Sequence, residues 1–206
     1  KYETLDLEAC DYLLFNGASM IEGSRDEGGR IKLPRSRLKH REANRVLCAC
    51  PPAWLVVSTQ VRAILESLPL RHVVFAPTML VNRIGSDQRY HSWDTLGDPW
   101  WEIDSDLVLP PMAPSMDIVD KDGRSVRGDD SNGCYIHEGI YVPPEPHYAK
   151  GALEYAGPFD LACTSERLGI KPAHENRLKV ASRRFYLLCQ EHRIKADWTP
   201  VRIDED

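Results

Sequence analysis

The chain has 206 residues, 42% hydrophobic and 28% charged, with a formal net charge of −5. That length suits one large domain or two small ones, the composition is that of a globular protein, and no apolar run approaches the ~20 residues that span a bilayer. Six cysteines are too few for a disulfide scaffold, which predicts reduced thiols and a cytoplasmic protein.

The sequence opens on Lys1 rather than methionine, so the expectation is that something upstream was cleaved or left out, and the absence of a signal peptide says little about export. "YETLDLEACDYLLFNGASMIEG" reads as a strand and turn leading into the glycine-rich loop "GSRDEGGR". Residues 30–45 then carry seven Lys or Arg against Glu42. A basic run of this kind is a candidate nucleic-acid patch, or an edge strand whose cations discourage pairing. With no aromatic interleaved and an acidic chain, nucleic acid is not the expected partner. Cys48 and Cys50 would share one face of a strand and suit a soft metal. The second pair that a four-cysteine zinc site needs is missing, because Cys10, Cys134, Cys163 and Cys189 stand singly.

"WLVVSTQVRAILESLPLRHVVFAPTML" (54–80) reads as strand, helix, strand. Val61, Ile64, Leu65 and Leu68 recur with the period of one helix face, Ser58 is placed to cap the helix, and Pro69 closes it. Residues 81–150 are rich in Pro, Gly and Asp, with polyproline-like connectors at "LPPMAP" and "VPPEPH" and a hairpin predicted around Asp122 and Gly123. "RLKVASRRFYLLCQEHRIKADWTPVRI" (177–203) then repeats the earlier unit. With Ser182 aligned on Ser58, Phe185, Leu188, Cys189 and His192 fall on the four apolar helix positions, and Trp198-x-Pro200 falls on Phe75-x-Pro77 after a one-residue gap. One such unit cannot cover both faces of its own sheet, whereas two can share a sheet and a core. The prediction is an α+β fold with a mixed sheet built from the two units. Its parts are 1–80, a loop-rich 81–150 and 151–206, in one compact molecule.

The repeated unit, together with the lead-in "GPFDLACTSERLG" before its second copy, resembles the repeated motif of immunity protein family 11 of bacterial polymorphic toxin systems. The resemblance covers residues 54–80 and 157–203. It implies a protein encoded beside a toxin, which it binds and silences, with affinity as its activity and no cofactor or metal.

No sequence signature of a nucleophile, base and orienting group is present: the chain lacks G-x-S-x-G, H-E-x-x-H, a P-loop and G-x-G-x-x-G, and no two of its seven histidines lie four residues apart. His192 takes a position filled by Leu68 in the first unit, so a half-buried core histidine is expected there. The expectation is therefore a binding protein and not an enzyme, the alternative being a small Cys/His-dependent enzyme or metal-binding protein. The best candidate for contact is "YHSWDTLGDPWWEIDSD". Residues 87–106 hold six acids against Arg89, as much net negative charge as the whole chain. The candidate residues are Tyr90, Trp93, Asp94, Asp98, Trp100, Trp101, Glu102, Asp104 and Asp106. Tryptophan and tyrosine give large contact area at low entropic cost, and carboxylates around them steer a basic partner. The competing reading packs these tryptophans into the protein's own core, and in a strand Trp100 and Trp101 would face opposite ways.

Overall fold

The computed structural model describes residues 6–25, 27–34, 38, 43–50, 54–81, 100–113, 135–136, 146–168 and 176–204. The first strands are β1 (Tyr12–Gly17), β2 (Ser19–Glu22), β3 (Ser24–Arg25), β4 (Ile31–Pro34), β5 (Leu47–Cys50) and β6 (Trp54–Ser58), followed by helix α1 (Thr59–Glu66). Then come β7 (Val73–Pro77), β8 (Met79–Val81), β9 (Trp100–Ser105), β10 (Tyr135–Ile136), β11 (His147–Ala149) and the short helix α2 (Ala152–Tyr155). The chain closes with β12 (Leu161–Leu168), β13 (Asn176–Ser182), helix α3 (Arg183–Glu191), β14 (Ala196–Pro200) and β15 (Arg202–Asp204). The predicted hairpin around Asp122 and Gly123 lies outside the described residues, as does most of the predicted connector at 142–147.

The two predicted units form as strand, helix, strand. Ser58 Oγ accepts the N–H of Val61 and Ser182 Oγ that of Phe185, both at 3.2 Å, so each serine caps its helix as expected. Helices of eight and nine residues are too short to persist alone. Packing holds them: Val61, Leu65, Phe185 and Cys189 are at most 1% exposed, each apolar side chain contributing about 2 kcal/mol. His192 is half-buried, like Leu68.

The sequence predicts that the units share one sheet; they do not. Each has its own five-stranded mixed sheet, in the order β2-β5-β6-β9-β7 and β10-β12-β13-β1-β14. Nor do the two strands of a unit pair with each other. An antiparallel strand from elsewhere lies between them, β9 in the first sheet and β1 in the second. The separation follows from size: a helix about 10 Å across sits over two strand spacings of about 4.8 Å, with the inserted strand beneath it.

The two sheets correspond strand for strand, and around the inserted strands residue for residue. Ser58, Val57 and Val56 face Trp100, Trp101 and Glu102; Ser182, Ala181 and Val180 face Tyr12, Leu13 and Leu14. Phe75 and Pro77 face Ile103 and Trp101; Trp198 and Pro200 face Phe15 and Leu13. The outer pairs β2·β5 and β10·β12 are both parallel. The small sheets share one parallel pair, Leu33 on β4 facing Leu80 on β8 as Tyr148 on β11 faces Ile203 on β15, and the first adds β3. Both large sheets have their second unit strand, β7 or β14, at an outer position.

Three apolar cores result. The central one lies between the repeats and takes Val57, Val61, Leu65 and Ile103 from the first with Phe15, Ala181, Phe185 and Cys189 from the second. The far face of each sheet has its own cluster, around Leu33, Val56 and Trp100 in one and Tyr148, Val180 and Leu14 in the other.

Candidate functional site

The described part of the candidate segment is β9 with Asp106. Tyr90, Trp93, Asp94 and Asp98 lie outside the described residues. Alternation along β9 sends Trp100 into the outer core of the first sheet, where it is 7% exposed. Trp101 goes to the other face, against the central core. The two tryptophans thus face opposite ways, as expected, and Trp100 packs in the protein's own interior. Trp101 is half-buried, with Arg62 held 3.5 Å from its ring centroid and its indole N–H donated to Thr59 Oγ1 at 3.1 Å.

Glu102 shares the Trp100 face and is 8% exposed. It accepts a hydrogen bond from Arg25, whose guanidinium lies 4.6 Å from the centroid of the Trp54 ring. Burial pushes the Glu102 carboxyl above the usual carboxylate range, and Arg25 offsets only part of this. At the corresponding place the second repeat has Leu14, an ordinary core residue.

Asp104 lies where β9 crosses β12, the seam between the two sheets. Its Oδ1 accepts from Lys179 Nζ at 3.0 Å, Cys163 Sγ at 3.1 Å and the Ser105 N–H at 2.8 Å. Burial raises this carboxyl, but the Lys179 ammonium and the hydrogen bonds outweigh it and hold the group below the usual range. Lys179 is 5% exposed and also donates to the Arg177 carbonyl at 2.9 Å. Cys163 is buried, and desolvation with Asp104 beside it pushes its thiol up to about 11 despite Lys179. Asp106, exposed, lies 2.9 Å from His72 Nδ1. Beyond it Asp160, with a 2% exposed side chain, accepts from the single nitrogen Nη1 of Arg184 on both oxygens, at 2.7 and 2.6 Å, and from the Arg71 N–H at 2.8 Å.

The quasi-symmetry supplies a second seam, where β1 crosses β5. Its counterparts of Cys163, Lys179, Asp104, Asp106 and Asp160 are Cys48, Leu55, Asn16, Ala18 and Arg45. A thiol is kept, and every charge is lost or reversed. Arg25, Lys179, Cys163 and Asp160 were not among the residues singled out from sequence. For Lys179 a signal existed, since the alignment of the two units sets it on Leu55.

Cys189 is buried in the central core, where desolvation pushes its thiol up to about 12. Among the described residues no group of three or more His, Cys, Asp or Glu is arranged to hold a metal ion. No helix among them is long and apolar enough to cross a membrane. Compared with protein-family models, curated proteins and solved structures, the chain matches none of them.

Proposed function

We propose that the protein binds the toxin of a bacterial polymorphic toxin system and neutralises it by direct protein–protein contact. The observation that carries this reading is the unequal charge of two seams built on one scaffold. The fold needs no carboxylates there, because its other half has Asn16, Ala18 and Arg45 in their place. Lys179 is taken almost wholly out of water and Asp104 only in part, and burying the ammonium costs several kcal/mol that pairing does no more than offset. Local departures of this kind concentrate where a protein acts.

Asp106 and part of Asp104 remain at the surface, at the end of the most acidic segment of the chain. They suit a basic partner, which such a field would steer. The resemblance of the two units to immunity protein family 11 points the same way, and the sparse cysteines suit the cytoplasm. The Cys-dependent alternative gains no support from Cys163 and Cys189. Thiols held that high are protonated at neutral pH and are weak nucleophiles.

Co-expression with the neighbouring open reading frame, affinity capture and a size-exclusion mass test the proposal. A stable complex with rescue from that neighbour's toxicity supports it. The absence of both a complex and rescue discards it.

A further inference from the structure

We infer that β1 is the closing strand of the second repeat, a donor strand held in a peptide-binding slot between β13 and β14, and that its covalent link to β2 is dispensable for that role. In the first repeat the inserted strand β9 follows its own unit along the chain, through residues 82–99. In the second repeat the strand found in the slot, β1, precedes its unit and the rest of the first repeat along the chain.

It enters in the register that β9 adopts, along both flanks. The match extends to single bonds: Thr78 N–H donates to the Trp100 carbonyl at 3.1 Å, and Val201 N–H to the Tyr12 carbonyl at 3.1 Å. The start of β1 is also tied to the second helix, the Arg183 N–H donating to the Asp11 carbonyl at 2.8 Å.

The slot recognises an extended apolar peptide. Leu13, Leu14 and Phe15 are 0%, 5% and 1% exposed. They point alternately, Leu14 into the outer core of the second sheet and Phe15 into the central one. The Phe15 ring lies edge-on to Phe185 at 5.3 Å and against Trp198 at 5.1 Å. Gly17 is required where the strand leaves, because a Cβ there would stand 2.4 Å from the Cys48 nitrogen. The main-chain ladder gives affinity and the alternating pockets give selectivity, as in other cases of strand addition.

The test is a permuted chain carrying every residue: 18–206, a short linker with a protease site, then 1–17. The expected result is a folded monomer whose 1–17 peptide still co-elutes with the remainder after the linker is cut. Phe15→Asp in the same permutant should release the peptide on cutting. A permutant that does not fold, or that loses the unaltered peptide once cut, overturns the inference. Hydrogen exchange on the natural chain gives an independent reading. The amides of β1 should fall within about tenfold of those in β13, the slowest class. Exchange on the order of a hundredfold faster than β13 would overturn it equally.

Discussion

The two repeats are built to one plan and stabilised by different means. At corresponding positions around the inserted strand, the first has Val61, Ile103 and Phe75 where the second has Phe185, Phe15 and Trp198. The second repeat packs rings against rings, Tyr186 adding its edge to Trp198 at 5.1 Å. The first repeat makes up the volume with Trp101 under the Arg62 guanidinium. At the seams the contrast runs the other way, with Lys179 and Asp104 opposite each other in one and Leu55 and Asn16 in the other. A shared backbone fixes which positions are inside. It does not fix whether an inside position is filled by a ring, an aliphatic chain or half of an ion pair.

The largest test of that contrast is Phe15→Ala against Ile103→Ala. Both empty the central core beneath a helix, and the expected losses are about 4 and about 3 kcal/mol, read from urea unfolding midpoints. Equal losses would mean that the aromatic cluster adds nothing beyond its area. Next comes the charged seam. Lys179→Leu leaves a partly exposed carboxylate without its ammonium and should cost about 2 kcal/mol, between the buried and the exposed cases. Adding Asp104→Asn, which copies the apolar seam, should recover most of the loss; a double variant as unstable as the single one would break the equivalence of the seams.

The same pair predicts the acid response. The Asp104 carboxyl has a lower pKa folded than unfolded, so its contribution is complete above the ordinary aspartate value of about 4 and is lost as the pH falls below it. Glu102 has a raised value and acts in the opposite sense, favouring the fold more as the pH falls. Asp104→Asn should therefore flatten the acid limb of a stability–pH profile, and Glu102→Gln should steepen it. Smaller again are the caps. Ser58→Ala and Ser182→Ala should each cost about 1 kcal/mol, the cap bonds agreeing at 3.2 Å while Ser58 Oγ also donates to the Ala43 carbonyl and Ser182 Oγ to Asp160. The smallest effect on stability belongs to Asp106→Lys, within about 0.5 kcal/mol. On the proposed function it should slow association with a basic toxin several-fold while dissociation stays nearly unchanged.

What could be read from sequence was local. The helix period, the two capping serines, the aromatic-x-Pro endings and the opposite facing of Trp100 and Trp101 depend on neighbours a few residues apart, and each is found. The pairing of β1 with β13 joins Leu14 to Val180, and no periodicity within either segment reports on a contact so distant. Hence one sheet was expected where there are two. Lys179 was hidden for a related reason. In "LKVAS" a lysine between apolar residues suits a strand with one wet face, yet β13 is covered on both faces, and the partner that permits this, Asp104, lies in the other sheet. Of the nine candidate contact residues, Trp100 and Glu102 are interior and Asp104 and Asp106 reach the surface.

A molecule whose ends are two similar sheet margins has a hazard of its own. Each outer strand, β7 and β14, is a template on which the equivalent strand of another molecule could lay itself, and a contact of that kind can repeat without closing. Both strands place proline at the same step, Pro77 and Pro200. Proline has no amide hydrogen to offer a newcomer, and it is tolerated in sheets at such margins. The residue duplicated most visibly at the end of each unit therefore works as a stop against polymerisation. Replacing both prolines with valine should leave the interior untouched and favour edge-to-edge association, read as a rise in size-exclusion mass.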